Sequence, residues 1–318
     1  MEKSILRVED LRVYYETPEG VVHAVDGVTF HLREGERLGI VGESGSGKST
    51  VALALLRLIK PPGKVVGGRV YLDSVDLLDL SEEEVRRLRL SQLALIPQGA
   101  MNALNPVLKV RDQLLLPLHD HGVQLTKAEA DSLVRDLLQR VGLPSQVAEL
   151  YPHELSGGMK QRVCIAIAIA MNPKVIIADE PTSALDVVVQ WQIMDTLRQL
   201  QQTLGAAVIV IGHDMGLMAQ TVDRIGVMYA GKLVELAPTA ELLRHPLHPY
   251  TQLLIASLPS LDKRGEFQGI PGLPPSLLSP PPGCRFHPRC PKAFDRCSAE
   301  EPTLREVRPD HYVACHLW

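Results

Sequence analysis

The chain has 318 residues, of which 45% are hydrophobic and 22% charged, and its formal net charge at pH 7 is −4. This length fits one large domain or two and can bury a sizeable core. Because the net charge is small and negative, no global basic field indicates a nucleic-acid-binding protein. The first residues lack the apolar core of a signal peptide, and no run of about 18 apolar residues occurs. We therefore expect no membrane-spanning segment and a cytosolic location.

Short strands are predicted before residue 41. The runs 5–9, 11–15 and 28–32 alternate in part between apolar and polar residues, as half-buried strands do. Strands that precede a parallel core predict an antiparallel layer beside it. Tyr15, or its neighbour Tyr14, offers an aromatic face on which an adenine can stack, and an ordinary strand aromatic is the alternative for each.

A glycine-rich loop over residues 42–50, GESGSGKST, fits the spacing G-x-x-x-x-G-K-[ST]. An apolar strand over 37–41 precedes it and a helix-forming run over 51–58 follows, which is the context that this motif requires. The glycines let backbone N–H groups surround a polyphosphate, Lys48 reaches its β- and γ-phosphates, and the Ser49 hydroxyl is a ligand for Mg²⁺. The alternative is a loop that merely turns the chain. The residues predicted to contact ATP here are Ser44, Gly45, Ser46, Gly47, Lys48, Ser49 and Thr50.

The middle of the chain changes from strands to helices. A helix with a capped start is predicted at residue 81, and an apolar strand over 93–98 ends in Gln98. From about 110 to 152 the apolar spacing is helical, and Gly142 stands where a helix C-terminus is expected. We interpret this stretch as a helical insertion in an α/β core.

A second Gly-rich sequence, Ser156-Gly157-Gly158, precedes another helical run. It resembles an anion cradle without a lysine, although a plain turn is the simpler interpretation of the triplet alone. Because one nucleotide rarely needs two cradles from one chain, a head-to-tail dimer explains the pair, with each second cradle closing on the ATP of the partner.

Two buried strands deliver polar residues at their carboxyl ends. The run 175–180 ends in Asp179 and Glu180, and the run 207–214 ends near His213. Ligands of such sheets bind outside the carboxyl ends of the strands. We expect Asp179 to hold Mg²⁺ and Glu180 to orient or deprotonate the attacking water. His213 and Gln98 are expected to contact the γ-phosphate, with Gln98 also at the metal, and a solvated strand end is the alternative for the acidic pair.

The last 80 residues differ in composition from the rest. Residues 271–282 contain six prolines and predict a semi-rigid linker. Four cysteines follow with 5, 6 and 17 residues between neighbours: Cys284, Cys290, Cys297 and Cys315. Disulfides are disfavoured in the cytosol, whereas four thiolates suit either zinc or an iron–sulfur cluster. We expect metal loss to unfold this tail and to leave the ATP site intact, while Cys164 is expected to be a small core residue.

Together these motifs resemble the ATP-binding cassette (ABC) family over roughly residues 5–240. Residues 42–49 look like its Walker A, 155–159 (LSGGM) its signature and 175–180 its Walker B. Residues 183–186, ending in Asp186, look like the D-loop, with His213 as the switch histidine, Gln98 as the Q-loop and Tyr15 as the adenine-stacking position. Gly99 departs from the acidic residue common after that glutamine.

The resemblance implies a P-loop NTPase (ABC ATPase) core over 1–240 with an antiparallel β layer and a helical subdomain over about 100–160. A Pro/Cys-rich extension would follow over 241–318. Residues 39–49, 102–106 and 245–251 more narrowly resemble ATPase subunits of dipeptide/oligopeptide or nickel importers. That resemblance implies ATP hydrolysis coupled to transport, a second ATPase subunit, two permease subunits, an external binding protein, and a position on the cytoplasmic face of the membrane. It also implies a 4Fe–4S cluster on the four tail cysteines, with zinc as the alternative.

Three other functions are open to a chain of this kind. Nickel or another small solute is an alternative cargo. A cytosolic ABC protein acting on nucleic acid usually has two cassettes or a long coiled-coil insertion, and neither is present. A metal-binding regulatory module with a degenerate cassette is disfavoured by the complete set of Lys48, Asp179, Glu180 and His213.

Overall fold

The computed structural model describes residues 4–99, 103–258 and 269–318. Asn102, the first residue of the 102–106 motif, lies outside the described residues. The chain divides into two compact units. The first contains the residues up to Leu6, Leu32–Glu36 and Asp79–Ile211; the second contains Arg7–His31, Arg37–Leu78 and Gly212–Trp318.

The described strands are, in chain order, β1 (Ser4–Thr17), β2 (Gly20–Arg33), β3 (Arg37–Val41), β4 (Gly63–Leu72), β5 (Val75–Asp76), β6 (Leu93–Ile96), β7 (Val175–Asp179), β8 (Ala207–Ile211), β9 (Arg224–Tyr229), β10 (Lys232–Pro238), β11 (Arg305–Arg308) and β12 (His311–Val313). The predicted runs 5–9 and 11–15 are one strand, β1. Asp10 interrupts its alternation with a φ of 48°, but its N–H donates to Thr29 Oγ1 at 2.9 Å and keeps the strand attached.

The described α-helices are α1 (Lys48–Leu55), α2 (Glu82–Leu88), α3 (Val110–Asp120), α4 (Lys127–Arg140), α5 (Gly157–Ile169), α6 (Val187–Leu204), α7 (Met215–Thr221), α8 (Thr239–Arg244), α9 (Pro249–Ala256) and α10 (Asp295–Ala299). Single 3₁₀ turns cover Ser145–Glu149, Pro152–Glu154 and His287–Arg289. Among the helices of the described residues, none combines the length and apolar character needed to cross a membrane.

A parallel sheet of β6, β7 and β8 forms the centre of the first unit. Ile96 pairs with Ala178, and Asp179 pairs with Ile211. All five residues of β7 and all five of β8 are buried, which explains their unbroken apolar sequence. The predicted strand that carries Asp179 and Glu180 is therefore present, and its carboxyl end carries them.

The helical part of the first unit follows the predicted spacing. Helix α2 begins with a reciprocal capping box between Ser81 and Glu84, as the sequence indicates. Helix α4 buries one apolar face, and Gly142 has a φ of 69° just beyond its end. Cys164 on α5 is 6% exposed and belongs to the core, as expected. Burial raises the pKa of its thiol to about 12.

The sheet of the second unit combines the strand before the phosphate loop with strands of the tail. β3 pairs in parallel with β9, which pairs antiparallel with β10. β10 in turn pairs antiparallel with β12, and β12 with β11. The tail thus continues the sheet that contains β3. The boundary after residue 240 and the helical subdomain over about 100–160 stay predictions about domain organisation.

A four-stranded sheet in the order β2-β1-β4-β5 completes the β structure, with β4 and β5 antiparallel. The proline-rich segment of the second unit runs beside β2. Between 269 and 286, residues that the structure describes form neither helix nor strand, and the N–H of His23 donates to the Leu277 carbonyl at 2.9 Å. The segment therefore follows the edge of β2 without joining the sheet.

Candidate functional site

The phosphate loop of the second unit connects β3 to α1. Gly47 caps the helix with a φ of 98°, and a Cβ at this position would lie 2.1 Å from the Ala24 carbonyl oxygen. Only glycine fits there, because any side chain would collide with backbone. Ser46 is 4% exposed, and its carbonyl accepts from the N–H of Gly231 at 2.9 Å. The loop is thus held in place by packing and by backbone contacts from β2 and from the turn before β10.

Lys48 lies inside this loop. Its side chain is almost fully buried, and its Nζ donates to the carbonyls of Gly42 at 2.9 Å and Glu43 at 3.0 Å. A buried ammonium held by carbonyl dipoles at the start of a helix creates a positive region suited to a polyphosphate. Ser44 and Gly45 are exposed at the tip, and Ser49 and Thr50 are half-buried at the helix start.

The carboxyl end of β7 carries the two predicted carboxylates of the first unit. Asp179 is 6% exposed. Glu180 has a φ of 45°, a backbone conformation that non-glycine residues rarely adopt. Its N–H donates to the Ile211 carbonyl at 2.9 Å, which holds the strained residue against β8.

Gln98 and Glu180 are in direct contact. The Gln98 side-chain amide donates from Nε2 to Glu180 Oε2 at 2.9 Å. Two of the three predicted catalytic residues therefore touch, although 82 positions separate them in the sequence. The contact fixes one carboxylate oxygen of Glu180, and such orientation is what a general base needs.

The signature triplet and the D-loop are neighbours in the first unit. Ser156 Oγ caps α5 by accepting from the N–H of Met159 at 3.3 Å, and Asp186 caps α6 by accepting from the N–H of Val189 at 3.0 Å. A Cβ on Gly158 would lie 2.7 Å from Val189 Cγ1, so the glycine permits the two helix starts to approach. Ser156 and Asp186 are exposed.

Tyr15 and His213, the remaining predicted ATP contacts, both lie in the second unit. Tyr15 is half-buried, with its ring against Gly63, where a Cβ would lie 2.5 Å from the ring. The hydroxyl of its neighbour Tyr14 donates to Asp26 at 2.8 Å. His213 is exposed directly after Gly212, whose N–H donates to the Ile40 carbonyl of β3 at 3.1 Å.

All four tail cysteines line one small cavity, together with His248 and Phe286. The cysteines are free, and burial raises the pKa of the Cys284 thiol to about 11, with the neighbouring cysteines adding to the rise. Burial likewise raises the thiol pKa of Cys290 and of Cys315. Among the residues that the structure describes, however, no three His, Cys, Asp or Glu side chains are arranged to hold a metal ion.

One set of contacts was missed in the sequence. Glu43 of the phosphate loop binds Arg289 and Tyr250 of the tail. Neither residue matched a motif position with a predicted role at the loop. The sequence offered two signals, a carboxylate inside a phosphate-binding loop and an arginine far along the chain. Only the fold shows that the two side chains are in contact.

Comparison with known proteins identifies the family. Residues 25–183 match the family described as "ABC transporter", and residues 234–297 match that described as "Oligopeptide/dipeptide transporter, C-terminal region". The chain belongs to the ABC transporter family, and its fold is that of the ABC ATPases. The resemblance deduced from the motifs is confirmed.

Individual relatives extend over the whole chain. The dipeptide transport ATP-binding protein DppD of Caldanaerobacter subterraneus is 43% identical over 316 residues, covering 99% of this chain and 97% of its own. The oligopeptide transport ATP-binding protein OppD of Escherichia coli is 45% identical over 317 residues, covering 98% and 93%. A solved dimeric ATP-binding cassette in a post-hydrolysis state, bound to ADP and Pi, is similar with a TM-score of 0.67 at 31% identity, covering 74% of this chain and 98% of its own.

Proposed function

We propose that this chain is the ATP-hydrolysing subunit of a membrane transporter that imports di- and oligopeptides. The observation that carries the proposal is similarity over nearly the whole chain, tail included, to ATPases named for dipeptide and oligopeptide transport. A complete set of ATPase residues supports the enzymatic part, and the family supports the coupling to transport. Nickel is the alternative cargo, but the names of these relatives favour peptides as the transported substrate.

The phosphate loop is proposed to bind ATP. Lys48 supplies the positive charge for the β- and γ-phosphates, while the loop backbone and the start of α1 bind the remaining oxygens. The Ser49 hydroxyl and the Asp179 carboxylate are hard oxygen donors that suit Mg²⁺, with Gln98 as a further oxygen donor. Bound Mg²⁺ neutralises charge on the phosphates. Tyr15 is proposed to stack on the adenine.

Glu180 is proposed to take the proton from the attacking water. Gln98 already donates a hydrogen bond to one oxygen of that carboxylate, which orients the other toward a water molecule. His213 is proposed to contact the γ-phosphate, so that its position depends on whether ATP or ADP is bound. These roles require positioning and charge more than covalent chemistry.

The signature triplet is proposed to act on the nucleotide of a second cassette. Ser156, Gly157 and Gly158 stand at the start of α5, where backbone N–H groups can bind the phosphates of a partner's ATP. Asp186 caps α6 beside them and is proposed to contact the same partner. The second cassette is proposed to be a related ATPase, and the pair to dock beneath two permease subunits served by an external binding protein. The chain would then lie on the cytoplasmic face of the membrane.

The four-cysteine cavity is proposed to hold a 4Fe–4S cluster, with zinc as the alternative. Four free thiols share it, and the buried Nε2 of His248, which lines it, has no hydrogen-bond partner in the part of the chain that the structure describes. Four cysteine thiolates suit either group, although no three His, Cys, Asp or Glu side chains among the described residues are arranged to hold a metal ion. The resemblance to peptide-importer ATPases is what favours the cluster over zinc. When bound, the cluster would cross-link the tail segments that carry the four cysteines and so stabilise the tail.

Reconstitution of the chain with its permease and binding protein tests the function. Peptide presented by the binding protein should stimulate ATP hydrolysis, and Ni²⁺ should not. Stimulation by Ni²⁺ alone would replace the peptide assignment, whereas absence of ATP hydrolysis under all conditions would remove the ATPase assignment.

A further inference from the structure

Two side chains of the tail, Tyr250 and Arg289, bind Glu43 of the phosphate loop. The Glu43 N–H donates to Tyr250 Oη at 3.0 Å. Its carboxylate accepts from Arg289. Its carbonyl accepts from Lys48 Nζ at 3.0 Å. Glu43 thus connects two tail side chains to the lysine that is proposed to bind ATP.

Arg289 makes a two-pronged contact with the Glu43 carboxylate. Its Nη1 donates to Oε2 at 2.8 Å, and its Nη2 donates to Oε1 at 3.0 Å. The Arg289 side chain is 6% exposed and that of Glu43 is 24% exposed, so water screens the pair only in part. Bidentate pairs of this kind fix geometry as well as charge.

The remaining donors of Arg289 hold it rigidly. Its Nε donates to the Pro271 carbonyl at 2.8 Å, and its Nη1 donates to Tyr229 Oη at 3.2 Å. Phe286 packs at the same place, with its ring centroid 5.1 Å from that of Tyr229 and 5.4 Å from that of Tyr250. These contacts restrict the Arg289 side chain, so the Glu43 carboxylate pairs with a partner that is itself held in place.

A second tail arginine, Arg285, is connected to the phosphate loop through the turn between β9 and β10. Arg285 binds the Asp26 carboxylate and the Ala230 carbonyl, and its side chain is 6% exposed. Gly231, which follows Ala230 in the chain, donates its N–H to the Ser46 carbonyl of the phosphate loop at 2.9 Å. Arg285 directly follows Cys284 and Arg289 directly precedes Cys290. Residues 284–290, here called the cysteine segment, thus contain one arginine that binds Glu43 directly and one that binds the residue before Gly231.

The charge of Glu43 has a direct consequence for an anion-binding loop. A carboxylate here repels a polyphosphate unless a cation neutralises it. Arg289 is the residue whose hydrogen bonds span both of its oxygens. Loss of Arg289 would therefore expose the nucleotide to an uncompensated negative charge and would free the Glu43 side chain to turn.

We propose that Arg289 is a positioning residue for ATP, which neutralises and fixes Glu43 so that the phosphate loop accepts the nucleotide. The inference rests on the proposed ATPase function. Arg289 acts through Glu43 and needs no contact with ATP.

Nucleotide binding to four full-length variants tests the proposal: R289Q, E43Q, the double variant E43Q/R289Q, and R308Q. The last breaks the exposed tail pair between Arg308 and Glu241 and is the matched control. R289Q should weaken ATP binding about tenfold, because it leaves a partly buried charge unpaired. R308Q leaves the pair between Glu43 and Arg289 intact and should stay within about twofold of the parent chain. E43Q removes the loop carboxylate, so no uncompensated negative charge faces the nucleotide, and it should weaken ATP binding less than R289Q does.

The double variant separates positioning from a purely structural role. If Arg289 acts by neutralising Glu43, E43Q/R289Q removes the uncompensated charge and should recover to within about threefold of the parent chain. Affinity of the double variant as low as that of R289Q would overturn the proposal, as would R289Q binding within twofold of the parent. Should R289Q fail to fold by circular dichroism, the comparison of E43Q/R289Q with E43Q decides alone, and a difference above about fivefold rejects the charge argument. If the parent chain itself binds no ATP, the proposed function fails and not this inference alone.

Discussion

Replacing Glu180 with glutamine removes one negative charge and leaves the side-chain volume almost unchanged. Its partner Gln98 donates from Nε2 at 2.9 Å, and the carbonyl oxygen of a glutamine at 180 can accept that bond. Residue 180 has a φ of 45°, and this backbone conformation costs about the same for glutamine as for glutamate. We therefore expect E180Q to preserve the contact with Gln98 and to remove the proposed proton acceptor.

Because the contact with Gln98 is expected to be preserved, the loss of turnover in E180Q should equal the contribution of the general base. Loss of a positioned general base costs about 10²- to 10⁴-fold in turnover, which corresponds to about 3 to 5 kcal/mol in the activation free energy. Q98A is the informative comparison, because it keeps Glu180 but removes the hydrogen bond to its carboxylate together with the proposed oxygen donor to Mg²⁺. The hydrogen bond alone contributes about 1.5 kcal/mol, so Q98A should lose at least about tenfold in turnover.

Phosphate release at saturating ATP measures turnover, and equilibrium binding of ATP measures the dissociation constant. E180Q should bind ATP with near-parental affinity while its turnover falls by at least about 10²-fold. Turnover near that of the parent chain would refute the role of Glu180. A loss of ATP binding as large as the loss of turnover would refute the argument that the geometry survives.

Four further predictions concern the loop, the second cassette and the tail. K48A should weaken ATP binding itself by about 10²-fold or more, since it removes the charge that is proposed to bind the phosphates, and a binding isotherm like that of the parent would exclude this role. Cysteines at Ser46 of one cassette and Gly157 of the other should crosslink between chains when ATP is present, and crosslinks confined to one chain would contradict the head-to-tail dimer. A C297S variant, purified without oxygen, should lose iron and sulfide, whereas full metal content or stoichiometric zinc without sulfide would reject the cluster as proposed. F286A should lower the free energy of unfolding by about 3 to 5 kcal/mol, because the ring is 1% exposed, and a denaturant midpoint equal to that of the parent would show that its packing contributes little.

Much of the ATPase core could be predicted because its signals are local. The phosphate loop, the capped start of α2 at Ser81 and the buried strand β7 each follow from spacing within about ten residues. The carboxyl ends of parallel strands then place Asp179 and Glu180 without further information. Strand β1 was predicted as two pieces, because the break at Asp10 disturbs the alternation while the pairing continues.

The tail could not be predicted from local patterns. β12 pairs with β10, so that Val313 lies opposite Glu235, and no spacing rule connects segments so distant. The same holds for Arg289 and Glu43, which are 246 positions apart. The expectation that metal loss would leave the ATP site intact treated the tail as separate. Because Arg289 directly precedes Cys290 and holds the phosphate loop, we now expect disruption of the cysteine segment to weaken ATP binding.

Uptake into proteoliposomes tests ATP-driven peptide import most directly. The complete transporter is reconstituted with ATP enclosed on the side of this chain, and a labelled dipeptide is supplied outside with the binding protein. Labelled peptide should accumulate inside with the parent chain and should remain at background with E180Q. Accumulation with E180Q at the parental rate, or no accumulation by a parent complex that hydrolyses ATP and is stimulated by another solute, would contradict ATP-driven peptide import.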